Sequence, residues 1–232
     1  MERKFLKIEH IPAILWGKAS SKVIIAIHGN LSHKSDVPIQ ILATIAINKG
    51  YQVLSFDLAQ HGDRKEEKQP CKVQNSVEDL KIVMNYVQKQ WKHISLFANS
   101  IGAYFSLLAY NHQQIEKVLF LSPVVDMQRI IENMMQWFHI SQEEFKQKQI
   151  IETPIHQTLY WDYYCYVLNH PIESWNMTTY ILYGNQDEMC EKEIIEQFTK
   201  QFSCHLKIVE SQHYFHTSKQ LQLLEEWINQ IL

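Results

Sequence analysis

The sequence predicts an α/β protein with a mostly parallel central sheet flanked by helices on both faces, and three observations carry that expectation. First, Val23–Gly29, Val53–Asp57, Ile94–Ala98, Val118–Ser122 and Thr179–Gly184 are short, nearly continuous apolar runs, β-branched or aromatic, as strands buried on both faces are. Second, stretches with apolar residues at helical spacing lie between or after them: Val37–Lys49, Val77–Trp91, Ile101–Asn111, Glu191–Gln201 and Ser218–Ile231. Third, the chain holds only six glycines, against roughly 16 expected from average usage of about 7%. Gly29, Gly102 and Gly184 stand at or just past the ends of apolar runs, where strands feed sharp turns.

The remaining elements follow in chain order. Phe5–Leu15 reads as one or two antiparallel edge strands, with Pro12 compatible with an edge. Gly17 fits a turn and Gly50 a helix C-cap. Leu58–Asn75 is polar and charged and reads as a solvated connection; within it Arg64–Lys68 mixes both signs, as solvated surface does. Helix starts are marked at Asn75-Ser76, followed by Glu78 and Asp79, and at Thr217 with Gln220 three residues on. Residues 125–177 interrupt the alternation and are rich in Trp, Tyr, Phe, Met and Gln. They are long enough for a small helical cap, or lid, inserted late in the sheet. The expected organisation is one domain over residues 1–232, with the 125–177 cap inside it.

Composition excludes several classes. Lys and Arg number 22 and Asp and Glu 25, a net charge of −3, which argues against nucleic acid as a partner. With 46% hydrophobic residues the chain can bury a core. No apolar run reaches the ~18–20 residues of a membrane-spanning helix, and the N-terminal stretch reads as folded sequence. Cys71, Cys165, Cys190 and Cys204 show no C-x-x-C spacing, so a reducing cytoplasm is the expected location. No phosphate-binding glycine loop and no H-E-x-x-H occur, so neither a nucleotide cofactor nor a metal is expected.

Chemistry concentrates where Ile94–Ala98 runs into Asn99-Ser100-Ile101-Gly102 and then directly into a helix. That strand–turn–helix context suits a nucleophile elbow, G-x-S-x-G, here with Ala98 in place of the first glycine. A serine at a helix start also suits a simple helix cap. With the elbow, the chain resembles the α/β-hydrolase-fold serine hydrolases, of the small capped esterase and lipase-like kind. The resemblance implies a triad in chain order Ser, acid, His. Asp187, beyond the Leu182–Gly184 strand end, resembles the family's acid loop, and His213, before the last helix, its histidine loop. Glu188 and Asp126 are rival carboxylates, and His216 a rival base. Ile27-His28-Gly29-Asn30 resembles the family's His-Gly turn, which implies an oxyanion hole built from the backbone N–H groups of Asn30 and Ile101, with His28 orienting the loop. Asp57 to Gly62 resembles a further signature of structural role.

The aromatics Trp137, Phe138, Trp161, Tyr163, Tyr164 and Tyr166 are candidates for lining a substrate pocket, Trp137, Phe138, Trp161 and Tyr164 foremost, alongside the alternative that they pack the cap onto the core. The resemblance implies a cofactor-free serine hydrolase that cleaves a carboxylic ester, or thioester, of a small to medium acyl substrate through an acyl-serine intermediate. A serine peptidase or amidase of the same fold, and a non-catalytic hydrolase-fold protein that holds a small ligand, are the alternatives.

Overall fold

The computed structural model describes residues 1–155 and 157–232. The chain opens with two strands, β1 (Arg3–Ile8) and β2 (Ile11–Trp16), and continues through β3 (Lys22–Ile27), α1 (Val37–Asn48) and β4 (Gln52–Phe56). Next come α2 (Val73–Gln90), β5 (His93–Asn99), α3 (Ile101–Ala109) and β6 (Lys117–Leu121). A long excursion follows: α4 (Met127–Trp137), α5 (Gln142–Lys148), a two-stranded antiparallel ladder of β7 (Ile150–Glu152) and β8 (Thr158–Tyr160), and α6 (Trp161–Asn169). The chain then completes the sheet with β9 (Thr179–Gly184), α7 (Lys192–Gln201), β10 (His205–Val209) and α8 (Ser218–Ile231).

Eight strands form one sheet in the order β1-β2-β4-β3-β5-β6-β9-β10. Only β2 breaks the parallel pattern, running antiparallel to both β1 and β4. Alternate residues on each central strand serve two separate cores. Ile24, Ala26, Phe97, Leu119 and Leu182 pack with α1 and α8 on one face. Val23, Ile25, Ile27, Leu96, Ala98, Val118 and Phe120 pack with α2 and α3 on the other. Burial on both faces explains why these strands read as continuous apolar runs rather than alternating ones. The order of the central strands brings the carboxyl ends of β3, β5, β6 and β9 side by side at one edge, where ligands bind in open α/β sheets.

Several expectations need correction. β1 is the edge strand, so Pro12 lies one strand in; it is tolerated because the β2–β4 ladder begins at Ala13, leaving Pro12 outside it with its carbonyl accepting from the Asp57 N–H. α2 begins at Val73, with Lys72 at the N-cap and no side-chain cap. The Asn75 and Ser76 side chains are occupied elsewhere, on the Pro70 carbonyl and the Cys71 sulfur. The largest departure is the 58–75 connection, which is far from wholly solvated. Leu58, Ala59 and His61 are buried, and Arg64 is 2% exposed, its guanidinium pairing with Asp79 at 2.6 Å and with Glu67 at 2.8 Å. Asp79 also receives His10 at 3.0 Å, and Lys34 bridges Asp57 and Asp63. Thr217 and Gln220, by contrast, form a reciprocal capping box at the start of α8.

Candidate active site

β5 ends at Asn99 and α3 begins at Ile101, so Ser100 alone makes the turn, with φ 52° and ψ −119°. That positive φ is strained for a residue bearing a Cβ and persists only where the surroundings enforce it. Here the Ser100 N–H donates to the Leu121 carbonyl at 3.1 Å, and its own carbonyl accepts from Val124 and Ala103. The bend also requires close approach by its neighbours. A Cβ on Gly102 would lie 2.7 Å from the His28 carbonyl oxygen, so only glycine lets α3 start against β3. Ala98 is fully buried in the strand.

Asp187 and His213 reach Ser100 from the loops after β9 and β10. Those loops are joined by backbone bonds from Asn185 to Val209 and from Gln186 to Ser211. A Cβ on Gly184 would fall 2.3 Å from the Ser211 carbonyl oxygen, so the glycine allows this contact. One Asp187 oxygen accepts the Met189 and Cys190 N–H groups, both at 2.9 Å. The other lies 2.7 Å from His213 Nδ1, while His213 Nε2 lies 2.9 Å from Ser100 Oγ. With one oxygen taken by two backbone N–H groups, the Asp187 carboxylate turns the other to the Nδ1 side of His213, and Nε2 faces the serine hydroxyl. The three side chains therefore form a continuous hydrogen-bonded chain able to draw a proton from Ser100. The rivals sit elsewhere: Glu188 is exposed, Asp126 caps α4 through the Arg129 N–H, and His216 is exposed with its Nδ1 on the Tyr214 carbonyl.

The Gly29-Asn30 turn lies against the elbow, since a Cβ on Gly29 would meet Ser100 Cβ at 3.1 Å. Asn30 and Ile101 both line the cavity that Ser100 faces. Among the described residues neither of their backbone N–H groups donates a hydrogen bond, and Ile101 occupies the first position of α3, where the positive end of the helix dipole sits. Two buried histidines hold this turn. His28 Nδ1 bonds the Gly29 carbonyl and its Nε2 accepts the Leu58 N–H; His61 Nδ1 bonds the Ala59 carbonyl and its Nε2 accepts the Leu31 N–H. Both must be neutral to accept in this way. Burial agrees, pushing His28 down to about 3 and lowering His61 as well.

Above Ser100 lies a cavity of about 380 Å³, walled mostly by apolar side chains from α3, α4, α5 and β8, among them Phe105, Met127, Ile131, Phe145 and Leu159. Of the six aromatics that sequence suggested for the pocket, Trp137 and Tyr163 line it. Phe138, Trp161, Tyr164 and Tyr166 do not. Phe138 ends α4 as its C-cap, while Trp161 packs edge-on and Tyr164 tilted against Phe145, with ring centroids 5.4 and 6.0 Å away. The Tyr164 hydroxyl donates to Glu132. Sequence reasoning also missed Phe145, Tyr160, Met189 and Tyr214 as wall residues. Their helical or loop spacing carried no sign of which face they would turn inward.

Among the described residues, Asp187, Cys190 and His213 are close enough to share a metal ion, their ligand atoms lying within 4.8 Å of one another. The donor set suits a metal poorly. The Asp187–His213 hydrogen bond already uses two of the ligand atoms, and burial, with the Asp187 carboxylate beside it, raises the Cys190 thiol and holds it protonated. No helix among the described residues is long and apolar enough to cross a membrane.

A family model described as Serine aminopeptidase, S33, matches residues 18–160. Among solved structures the chain is similar to Est1E from Butyrivibrio proteoclasticus with ferulic acid bound, at 20% identity over 98% of this chain and 96% of that one, TM-score 0.80. It is also similar to alpha/beta hydrolase domain-containing protein 10 from mouse, at 15% identity over 99% and 98% of the two chains, TM-score 0.78. The Pyrococcus furiosus esterase Pf2001 follows at 17% identity over 99% of this chain and 88% of that one, TM-score 0.71. No curated protein sequence matches. The structural neighbours share the fold, the family model spans more than half of the chain, and the chain accordingly belongs to the α/β-hydrolase-fold serine hydrolases of the family described as serine aminopeptidase, S33.

Proposed function

We propose that the protein hydrolyses carboxylic esters, or thioesters, of small to medium acyl groups through an acyl-Ser100 intermediate, with residues 125–177 acting as an inserted cap that shapes the acyl pocket. The observation that carries this reading is the unbroken Ser100–His213–Asp187 chain, at 2.9 and 2.7 Å, at the floor of an apolar cavity. As Ser100 Oγ attacks the substrate carbonyl carbon, His213 Nε2 takes the hydroxyl proton. The carbonyl oxygen becomes an oxyanion facing the Asn30 and Ile101 N–H groups. Collapse of this tetrahedral species breaks the bond to the alcohol or thiol, which leaves with the proton from His213. Water then attacks the acyl-serine, giving its proton to His213, and release of the acid restores Ser100. Asp187 holds the imidazole orientation and stabilises the imidazolium at each stage. No step calls for a cofactor. A cavity of about 380 Å³ lies at the small end of the range for ligand sites, which is why a compact acyl group fits this reading. The four cysteines are all free, in keeping with a reducing compartment such as the cytoplasm.

Cleavage of an amide or peptide bond by the same serine is the second reading, favoured by the description of the matched family. Intact-mass measurement after brief exposure to a fluorophosphonate tests the nucleophile. Wild type is expected to gain one adduct that Ser100→Ala and His213→Ala both lose; folded wild type without an adduct overturns the reading in favour of a non-catalytic ligand-binding protein. Turnover of p-nitrophenyl esters against aminoacyl p-nitroanilides then separates the ester from the amide reading.

A further inference from the structure

Buried tyrosine hydroxyls almost always find a partner. Three in this protein do: Tyr110 donates to the Leu80 carbonyl at 3.0 Å, Tyr183 to the Cys190 carbonyl at 2.7 Å and Tyr164 to Glu132 at 2.9 Å. Tyr163 does not. It stands in the first turn of α6 and lines the cavity above Ser100, and its hydroxyl has no hydrogen-bond partner among the described residues. Nor is that oxygen sealed away with the orphaned polar atoms of the interior, which among the described residues are those of Gln74, Ser122 and Thr199. The Tyr163 oxygen keeps accessible surface, and Tyr163 and its neighbour Cys71 both line the cavity. The position of Tyr163 is held from outside, because Lys72, the N-cap of α2, and Gln74 in its first turn both bond Asp162, the preceding residue, at 2.7 and 3.0 Å.

Burial raises the phenol well above its ordinary value, and Tyr104 and Cys71 add to the rise, so the group is an O–H donor at any working pH. Cys71, in the same wall, is likewise raised, to about 11, and stays a neutral thiol. This part of the wall therefore offers a neutral donor, and the cation behind it, Lys72 over the Tyr160 ring, is already paired with Asp162. A carboxylate would be stranded there, whereas an uncharged oxygen would be satisfied.

On the reading of Ser100 as an acylated nucleophile, we infer that Tyr163 is a specificity residue that selects acyl groups carrying an uncharged oxygen, an ether, ketone or hydroxyl, away from the scissile carbonyl, in preference to plain alkyl chains.

The test compares p-nitrophenyl esters of straight-chain acids, graded in length, with isosteres in which one chain methylene is replaced by an ether oxygen. For at least one position of that oxygen, wild type is expected to favour the ether over its alkyl isostere by roughly 3- to 10-fold in kcat/KM, the worth of one neutral hydrogen bond. Tyr163→Phe keeps the ring and is expected to remove that preference, lowering kcat/KM for the ether ester several-fold more than for its alkyl isostere. A preference that survives in Tyr163→Phe, or the absence of any preference in wild type, overturns the inference. So does an equal fall on both esters, which would make Tyr163 merely structural. Because turnover depends on the Ser100 reading, calorimetric binding of the corresponding free acids to Ser100→Ala and to Ser100→Ala/Tyr163→Phe gives a separate answer. Tighter binding of the ether acid, lost with the phenol, supports the inference even if no ester is turned over; equal binding of both acids, or binding of neither, refutes it.

Discussion

The loops at the carboxyl ends of β3, β5, β9 and β10 and the excursion between β6 and β9 face each other across one cavity, yet they are built on different terms. On the sheet side the positions are dictated by backbone. Ser100 is pinned through three main-chain bonds, Gly184 is pressed on the Ser211 carbonyl, and His28 and His61 each accept a backbone N–H. On the excursion side side chains decide. Phe145 packs Trp161 and Tyr164 behind it, Glu132 takes the Tyr164 hydroxyl, and Arg129 and Asn133 bind Glu191 across the gap. Main-chain constraints tolerate almost no substitution, whereas packed side chains can exchange volume among themselves. A fold organised this way can hold its chemistry constant while its pocket changes.

The sharpest way to break that comparison is to change one atom on the sheet side without disturbing the fold. Asp187→Asn preserves side-chain size but can present its amide to His213 and favour the wrong tautomer. A fall in kcat of roughly 10⁴-fold is expected, with an unchanged melting temperature. Asp126→Asn, at the start of α4, is expected to leave kcat within about 2-fold, since Asp126 serves as a helix cap. Comparable losses from the two variants would mean that the acid has been misplaced.

Next in size comes the ion pair beneath the sheet-side loops. Arg64→Met removes the partner of Asp79, whose side chain is 6% exposed, leaving a buried carboxylate with only His10 beside it. A loss of about 3–5 kcal/mol in urea unfolding is expected; a loss under about 1 kcal/mol would show that Arg64 contributes little beyond its packing.

The pH dependence of stability follows from the buried histidines. His28 is held at about 3 when folded, whereas an unfolded histidine titrates near 6.5. Between those values the unfolded chain binds more protons, so stability is fully present above about pH 6.5 and falls as pH drops through the window toward 3. At pH 5 this group alone lowers stability by about 2 kcal/mol relative to pH 7, and His61, lowered in the same direction, adds to it. Denaturant titrations at the two values check this, and equal midpoints would show that neither ring is buried in the neutral form.

Much of this architecture was legible because it depends on local pattern. The continuous apolar runs announce strands buried on two faces, and Thr217 with Gln220 announces the last helix. Ser100, Asp187 and His213 were visible from where strands end, and the structure brings them within hydrogen-bond reach of one another. What stayed hidden depends on partners distant in sequence. Arg64 sits in a run of mixed charge and reads as solvated, but its partner Asp79 is a turn and a half into α2. Asn75 and Ser76 look like a helix start, yet their side chains bond residues that precede the helix. In the excursion, Tyr163 and Tyr164 are neighbours in one helix with opposite fates, one facing the cavity and one bonded to Glu132, and composition alone does not separate them.

The excursion's own division between wall and support supplies the smallest effect. Tyr164→Phe removes the hydroxyl from Glu132 and leaves the ring on Phe145, so about 1 kcal/mol of stability is expected to go. The preference among acyl chain lengths is expected to stay as it was, because Tyr164 supports Phe145 through its ring and lines no part of the cavity itself. Trp137→Ala is the reverse case. That side chain is 56% exposed at the mouth of the cavity, so stability is expected to shift by less than about 0.5 kcal/mol while KM for the longer p-nitrophenyl esters rises several-fold. Melting curves and KM values on the same two variants put wall and support side by side. A change in chain-length preference in Tyr164→Phe would show that the support transmits its position to the wall, and that the excursion is as tightly determined as the sheet loops it faces.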